Sequence, residues 1–246
     1  MNPSDLTFDS KVIKKRYPIS NNEDQLVFMF DSDPNLCLVK NKIAIHFTIE
    51  LDENYVPDNG FAAKQFASLA VEINSQRVSS TKTKGEYFLC DWINKFGNFD
   101  TNFIQSAYGL EGYFDLDNFQ QATTEKKASI AEFRRRGRKR GSRYLYEMIF
   151  TPTDAFLNQN LYLPPNVDLK LAFERLPVEF STFFLGKSPT SGVLELKDVY
   201  AEAEYVSSRA LRNFSESIID EPIAFKYDET NVICKVIPTN EQYIRY

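Results

Sequence analysis

The chain carries a single histidine, His46, among its 246 residues. Its three cysteines, Cys37, Cys90 and Cys234, form an odd set with no CxxC spacing. That pattern excludes a disulfide framework and a zinc site, and it predicts buried or free thiols in a reducing compartment. A glycine-rich phosphate loop is missing: Lys187-Ser188 follows Gly186, but the first glycine that a Walker motif needs five positions before it is absent. No run of 18 apolar residues occurs, which excludes an ordinary membrane-spanning helix. The opening MNPSDLTFDSKVIKKRYPIS lacks the apolar core of a signal peptide.

These absences narrow the chemistry. An enzyme built from this sequence would have only a carboxylate mechanism open to it. Glu202 and Glu204 are the one suggestive pair. Carboxylates at i and i+2 on a strand are read as a solvated face rather than as a glycosidase pair. His46 falls on the less apolar side of a strand pattern and is read as a surface or edge histidine. No catalytic, cofactor-binding or metal-ligating residue is assigned, and no cofactor is expected.

Methionine is scarce, with three copies against 21 Phe and 13 Tyr. Phe and Tyr suit the half-buried faces of sheets, so the composition leans toward β structure. The hydrophobic fraction of 43% is enough for a packed core and argues against global disorder. The clearest patterns have a period of two. In 43–51, Ile43, Ile45, Phe47, Ile49 and Leu51 alternate with Ala44, His46, Thr48 and Glu50. In 167–173, Val167, Leu169, Leu171 and Phe173 alternate with Asp168, Lys170 and Ala172, just after the stop Pro164-Pro165-Asn166. Further strands are predicted at 26–30, 66–73, 76–79, 144–150, 193–206, 223–227 and 232–237. Asn74-Ser75 is read as a hairpin turn. Three short helices are expected, over 86–96, 122–133 and 207–218. In the first, Phe88/Leu89, Trp92/Ile93 and Phe96 would form the apolar stripe and Gly97 the stop. Residues 1–24, with Pro3, Pro18 and Lys14-Lys15-Arg16, read as an N-terminal arm.

Strands that do not alternate with helices disfavour a parallel α/β sheet. The expected class is all-β: a jelly-roll sandwich of eight or more antiparallel strands over 25–246, with one to three short helices.

One segment differs in kind. RRRGRKRGSR, residues 134–143, holds Arg134, Arg135, Arg136, Arg138, Lys139, Arg140 and Arg143 with no acid among them. Subtracting this +7 from the net charge of −5 leaves −12 on the remainder. The acidic total argues against a chain built as a whole for nucleic acid. The run itself has three readings: a solvated loop paired with acids here or on a neighbouring subunit, a contact to nucleic acid, or a nuclear-import signal. Gly137 and Gly141 argue against a regular recognition helix.

Four segments carry a family resemblance, in order: FASLAVEINSQRVSS (66–80) before an aromatic helix, AFLNQNLYLPPNVDLKLAFER (155–175), LELKDVYAEAEYVSS (194–208) and VICKVIPTNEQYIRY (232–246). The chain resembles the N-terminal half of the double jelly-roll, hexon-like major capsid proteins of Maverick/Polinton transposons and adintoviruses. It departs from that pattern in its heavier arginine cluster and in Pro164-Pro165. The resemblance implies a second jelly roll beyond Tyr246, a trimeric capsomer, and other capsid proteins as partners. It also implies an icosahedral shell around double-stranded DNA, assembled inside the host cell, with no catalytic role. The basic run would then face an acidic neighbour or the packaged DNA. Two other readings stay open: a penton-like single jelly roll, and a stand-alone β-sandwich module binding carbohydrate or protein through Trp92, Tyr108, Tyr113 and Tyr144.

Overall fold

The structure, a computed structural model, describes residues 9–52, 55–57, 60–80, 86–98, 111–112, 137–178, 182–184 and 192–207. The helix expected at 122–133, all of the helix expected at 207–218 but Ser207, which ends a strand instead, and the strands expected at 223–227 and 232–237 lie outside these residues, as do Arg134, Arg135, Arg136 and Cys234. In chain order the strands are β1 (Ser10–Arg16), β2 (Ser20–Asn21), β3 (Gln25–Phe30), β4 (Cys37–Asp52), β5 (Tyr55–Pro57), β6 (Phe66–Ile73) and β7 (Gln76–Ser80). After helix α1 (Glu86–Asn98) come β8 (Arg138–Arg140), β9 (Arg143–Phe150), β10 (Tyr162–Leu163), β11 (Leu169–Arg175), β12 (Thr182–Phe184) and β13 (Lys197–Ser207).

Eight of these strands have five or more residues, and they form two antiparallel sheets. One sheet runs β1-β13-β4-β9 with β8 on its edge; the other runs β3-β11-β6-β7 with β2 on its edge. Counting only the long strands in chain order, the first sheet reads one-eight-three-six and the second two-seven-four-five. All but one of the connections between consecutive long strands cross from one sheet to the other. That interleaving is the double Greek key of a jelly roll, as the sequence predicts.

The period-two runs supply the core. Ile43, Ile45, Phe47, Ile49 and Leu51 of β4 are buried, as are Leu169, Leu171 and Phe173 of β11 and Val199, Ala201, Ala203 and Tyr205 of β13. Phe66 of β6 lies 4.7 Å from Phe173, 5.5 Å from Phe150 and 6.4 Å from Phe47, measured between ring centroids. Phe173 is in the same sheet as Phe66; Phe150 and Phe47 belong to the other. Phe66 therefore ties the two sheets together in edge and tilted ring contacts, the preferred geometry for aromatic pairs.

The β6–β7 hairpin forms where Asn74-Ser75 predicts it, with both residues at positive φ (46° and 67°). This is the turn whose twist matches paired strands, and its second position favours glycine. Asn74 also accepts a 2.9 Å hydrogen bond from the Asp168 N–H, fixing the turn to the start of β11. Ser75→Gly is expected to raise stability by about 1 kcal/mol, since a side chain at positive φ costs about that much. A urea midpoint that does not rise would remove the strain argument. Asn166, following Pro164-Pro165, takes φ 64° and turns the chain into β11. The proline pair thus does not prevent a left-handed turn residue there.

Two expectations need correction. Part of the predicted N-terminal arm is structural: Ser10–Arg16 is strand β1, paired with β13 from Ser10↔Ser207 to Arg16↔Ala201. Its polar composition is that of an edge strand, where lysines discourage pairing with other chains. Lys11 meets Glu204 at 2.7 Å and Lys14 meets Asp33 at 2.6 Å. The second correction concerns α1, which runs one residue past Gly97. Its buried face is Tyr87, Cys90, Asp91 and Lys95, while Trp92 and Ile93 are 40% and 46% exposed. The face is set by a charged partner distant in sequence, described next.

Candidate functional site: a basic ribbon and its counter-charge

The described part of the basic run is a β-ribbon rather than a loop. Arg138–Arg140 pairs antiparallel with β9, in the register Arg138↔Leu145, Lys139↔Tyr144 and Arg140↔Arg143. Both glycines have steric reasons to be there. Gly141, at φ 62°, sits in the two-residue turn. A Cβ on Gly137 would come within 2.6 Å of the Tyr146 ring, so only glycine lets the ribbon cross that ring.

Alternation then sorts the side chains. Tyr146, Met148 and Phe150 are buried in the core. Arg143 and Leu145 therefore point to the solvent side of the sheet, and directly opposed residues share a face. Arg138, Arg140 and Arg143 thus share the outer face with Glu50, which pairs with Leu145 in the register of β4 and β9. Lys139 points the other way, 5.8 Å from the Tyr144 ring centre.

Glu50 is the hub of this face. Lys197 Nζ donates to its carboxylate at 2.9 Å, while Arg143 and Arg140 stand off at 3.6 and 3.8 Å. The Lys197 hydrogen bond first, and then its charge and those of the two arginines, hold Glu50 below the usual carboxylate range. The arginine side chains are 62% and 68% exposed. Beside them lies a cleft of about 280 Å³ lined by Glu50, Asp52, Tyr55, Arg143, Val178 and Leu194 among others. Sequence reasoning missed Glu50 and Lys197. Glu50 looks like any outward residue of its strand until the strand order is known.

A second charged group is buried. Lys95 of α1 bonds Asp91 at 2.8–2.9 Å one turn away, and also Glu111. The other Glu111 oxygen accepts the Thr151 N–H at 2.9 Å, just past β9. Tyr87 Oη accepts the Thr153 N–H at 3.1 Å. Burial, opposed by Lys95, pushes the Glu111 carboxyl up to about 7. Burial lowers the affinity of Lys95 for its proton, but the two carboxylates outweigh it, and Lys95 stays a firm cation. The cluster pins α1 to the end of β9, which explains why the helix buries this face.

The remaining candidates divide as follows. His46 is neither on an edge nor fully at the surface: β4 is interior to its sheet, and the ring stacks on Tyr200 at 4.5 Å, with Glu202 at 3.6 Å. Burial lowers its proton affinity, partly offset by Glu202. Glu204 is held by Lys11, so the Glu202/Glu204 pair serves cross-strand contacts on one face. Lys40 is buried, donates to Gln159 Oε1 at 2.9 Å and lies 3.9 Å from the Phe156 ring centre; burial pushes it down to about 8. Cys37 and Cys90 are buried, and burial raises the Cys37 thiol to about 11. Arg175, at the end of β11, is buried and donates to the Leu194 carbonyl. Among the described residues no three metal-ligating side chains gather, and no helix is long and apolar enough to cross a membrane. Of the other aromatic candidates, Trp92 sits on α1 and Tyr144 is half-buried against Tyr146. Tyr108 and Tyr113 are outside the described residues.

No family model matches the chain, and no curated protein matches it. Among solved structures it is similar to the PBCV-1 virus capsid quasi-atomic model, at 12% identity and a TM-score of 0.46. It is likewise similar to PBCV-1 VP54 fitted into a reconstruction of the virophage Sputnik, at 12% identity and a TM-score of 0.47. Each likeness covers 85% of this chain and 45% of the other, so the chain spans less than half the length of those proteins. The jelly-roll assignment rests on the strand order of the two sheets.

Proposed function

We propose that this chain is a viral-type capsid protein, the first jelly roll of a hexon-like double jelly-roll subunit of the Maverick/Polinton and adintovirus kind. The observation that carries the reading is the coincidence of topology and sequence pattern. The sheets have the one-eight-three-six and two-seven-four-five orders of a jelly roll. Three of the four segments that resemble the family fall on its strands: 66–80 on the β6–β7 hairpin, 155–175 on the lead into β11, and 194–208 on β13. In this reading three subunits, each with two jelly rolls, form a trimeric capsomer. Trimers tile a shell around double-stranded DNA, formed inside the host cell, and the chain has no catalytic role. Cohesion comes from loop and edge contacts repeated by symmetry.

A jelly roll is also used by lectin-like modules, so fold alone does not decide function. The deciding measurement is native mass by light scattering at low and high salt. The expected result is a trimer for a chain carrying both halves. A pentamer would move the assignment to a penton-like protein. A monomer that binds glycans would replace it with a binding module.

A further inference from the structure

The outer face of the β8–β9 ribbon carries three arginines in a close-set row. Arg138 and Arg140 are two residues apart on one strand, hence about 7 Å apart on one face. Arg143 lies opposite Arg140 across the pair, about 5 Å away. The acids this face offers them are Glu50, whose hydrogen bond goes to Lys197 while Arg140 and Arg143 stay beyond hydrogen-bonding distance, and Asp52, opposite Arg143 in the register of β4 and β9. Like charges held this close repel one another, and the fold fixes them there by the register with Leu145 and Tyr144. Three of the four cations on the described ribbon are arginines, whose planar forks match phosphate oxygens in pairs. The sequence continues the charge directly upstream with Arg134, Arg135 and Arg136.

We infer that the outer face of this ribbon binds the phosphate backbone of a nucleic acid, through Arg138, Arg140 and Arg143, and that Glu50 weakens that binding. A closely repeated row of guanidinium groups is best neutralised by a partner whose negative charges also repeat closely. A DNA backbone is such a partner, with one charge per ~3.4 Å along each strand. The contacts are to backbone, so no sequence preference is expected. The inference is independent of the oligomeric state proposed above.

The test is fluorescence anisotropy of a labelled 20-base-pair duplex, and of a 20-nucleotide single strand, titrated with the chain between 50 and 200 mM NaCl. Binding is expected to weaken steeply with salt, each neutralised phosphate adding about 0.9 to the log–log slope on duplex. The variant R138Q/R140Q/R143Q should lower that slope by about 2 to 3 and weaken binding at least tenfold at 50 mM. Glu50→Gln should act in the opposite direction and tighten binding several-fold, which a merely structural carboxylate would not do. Lys11→Gln with Lys15→Gln, on the opposite edge of the same sheet, should change neither quantity. If the triple variant does not fold, Arg138→Gln alone still tests the slope, with an expected change of about 0.9. Absence of binding at 50 mM salt, or binding that the ribbon variants leave unaltered, overturns the inference. So does light scattering in which the ribbon drives salt-sensitive self-association without DNA binding, since that assigns the face to a second copy. A trimer that fails to bind DNA would refute this inference and leave the capsid proposal standing.

Discussion

Replacing Lys95 by methionine should destabilise the protein by about 3–5 kcal/mol, the cost of leaving buried charge without its partner. Lys95 stands between two carboxylates, Asp91 and Glu111, and all three side chains are buried. Methionine fills much the same volume, so little of the loss would come from a cavity. Chemical denaturation of wild type and variant measures the difference. A loss under 1 kcal/mol would mean that the carboxylates find other compensation and that the cluster does not pin α1.

The same cluster predicts a pH dependence whose sign follows from Glu111. Its carboxyl is raised from an ordinary value near 4.5 to about 7 in the folded protein. Between those values the folded state holds a proton that the unfolded state has released. The Glu111 contribution to stability is therefore fully present below about 4.5 and is lost as pH rises toward 7. Glu111→Gln, which cannot ionise, should flatten that fall relative to wild type. Glu50, depressed in the folded state, contributes in the opposite sense at lower pH. It is present in both proteins and cancels in the comparison. Identical pH profiles for wild type and E111Q would refute the assignment.

Phe66→Ala should cost a similar amount, about 3–5 kcal/mol. Here the mechanism is a cavity rather than a charge. Phe66 is fully buried and touches aromatic rings in both sheets, so truncation opens space that neither sheet can close alone. A domain near this size should lose roughly 10 °C in Tm. Ile13→Ala, on the edge strand β1 at a position 61% exposed, should change stability by less than about 0.5 kcal/mol. Equal effects at the two positions would mean that the inter-sheet packing is not where the stability lies.

These residues also separate what the sequence determined from what the tertiary structure decided. Alternation in 43–51 and 167–173, the span of the 66–73 strand and the Asn74-Ser75 turn are local properties. Side-chain period and turn chemistry act within a few residues, so the chain alone fixes them. The jelly-roll class followed from many strands separated by long connections. The face of α1 was not legible. Trp92 and Ile93 point outward because Glu111, well outside the helix, supplies the counter-charge that makes burying Asp91 and Lys95 favourable. Nor was β1 legible, since an edge strand needs only one neighbour and a lysine-rich one resembles an arm.

The basic run was legible as charge, but its shape was not. Composition counted seven cations and two glycines. Only the register of β8 on β9, and of β9 on β4, places three arginines on one face around Glu50. The β9–β4 register comes from pairing residues nearly a hundred positions apart. Long-range pairing of this kind is fixed by burial of the whole sheet, and no short stretch of sequence encodes it.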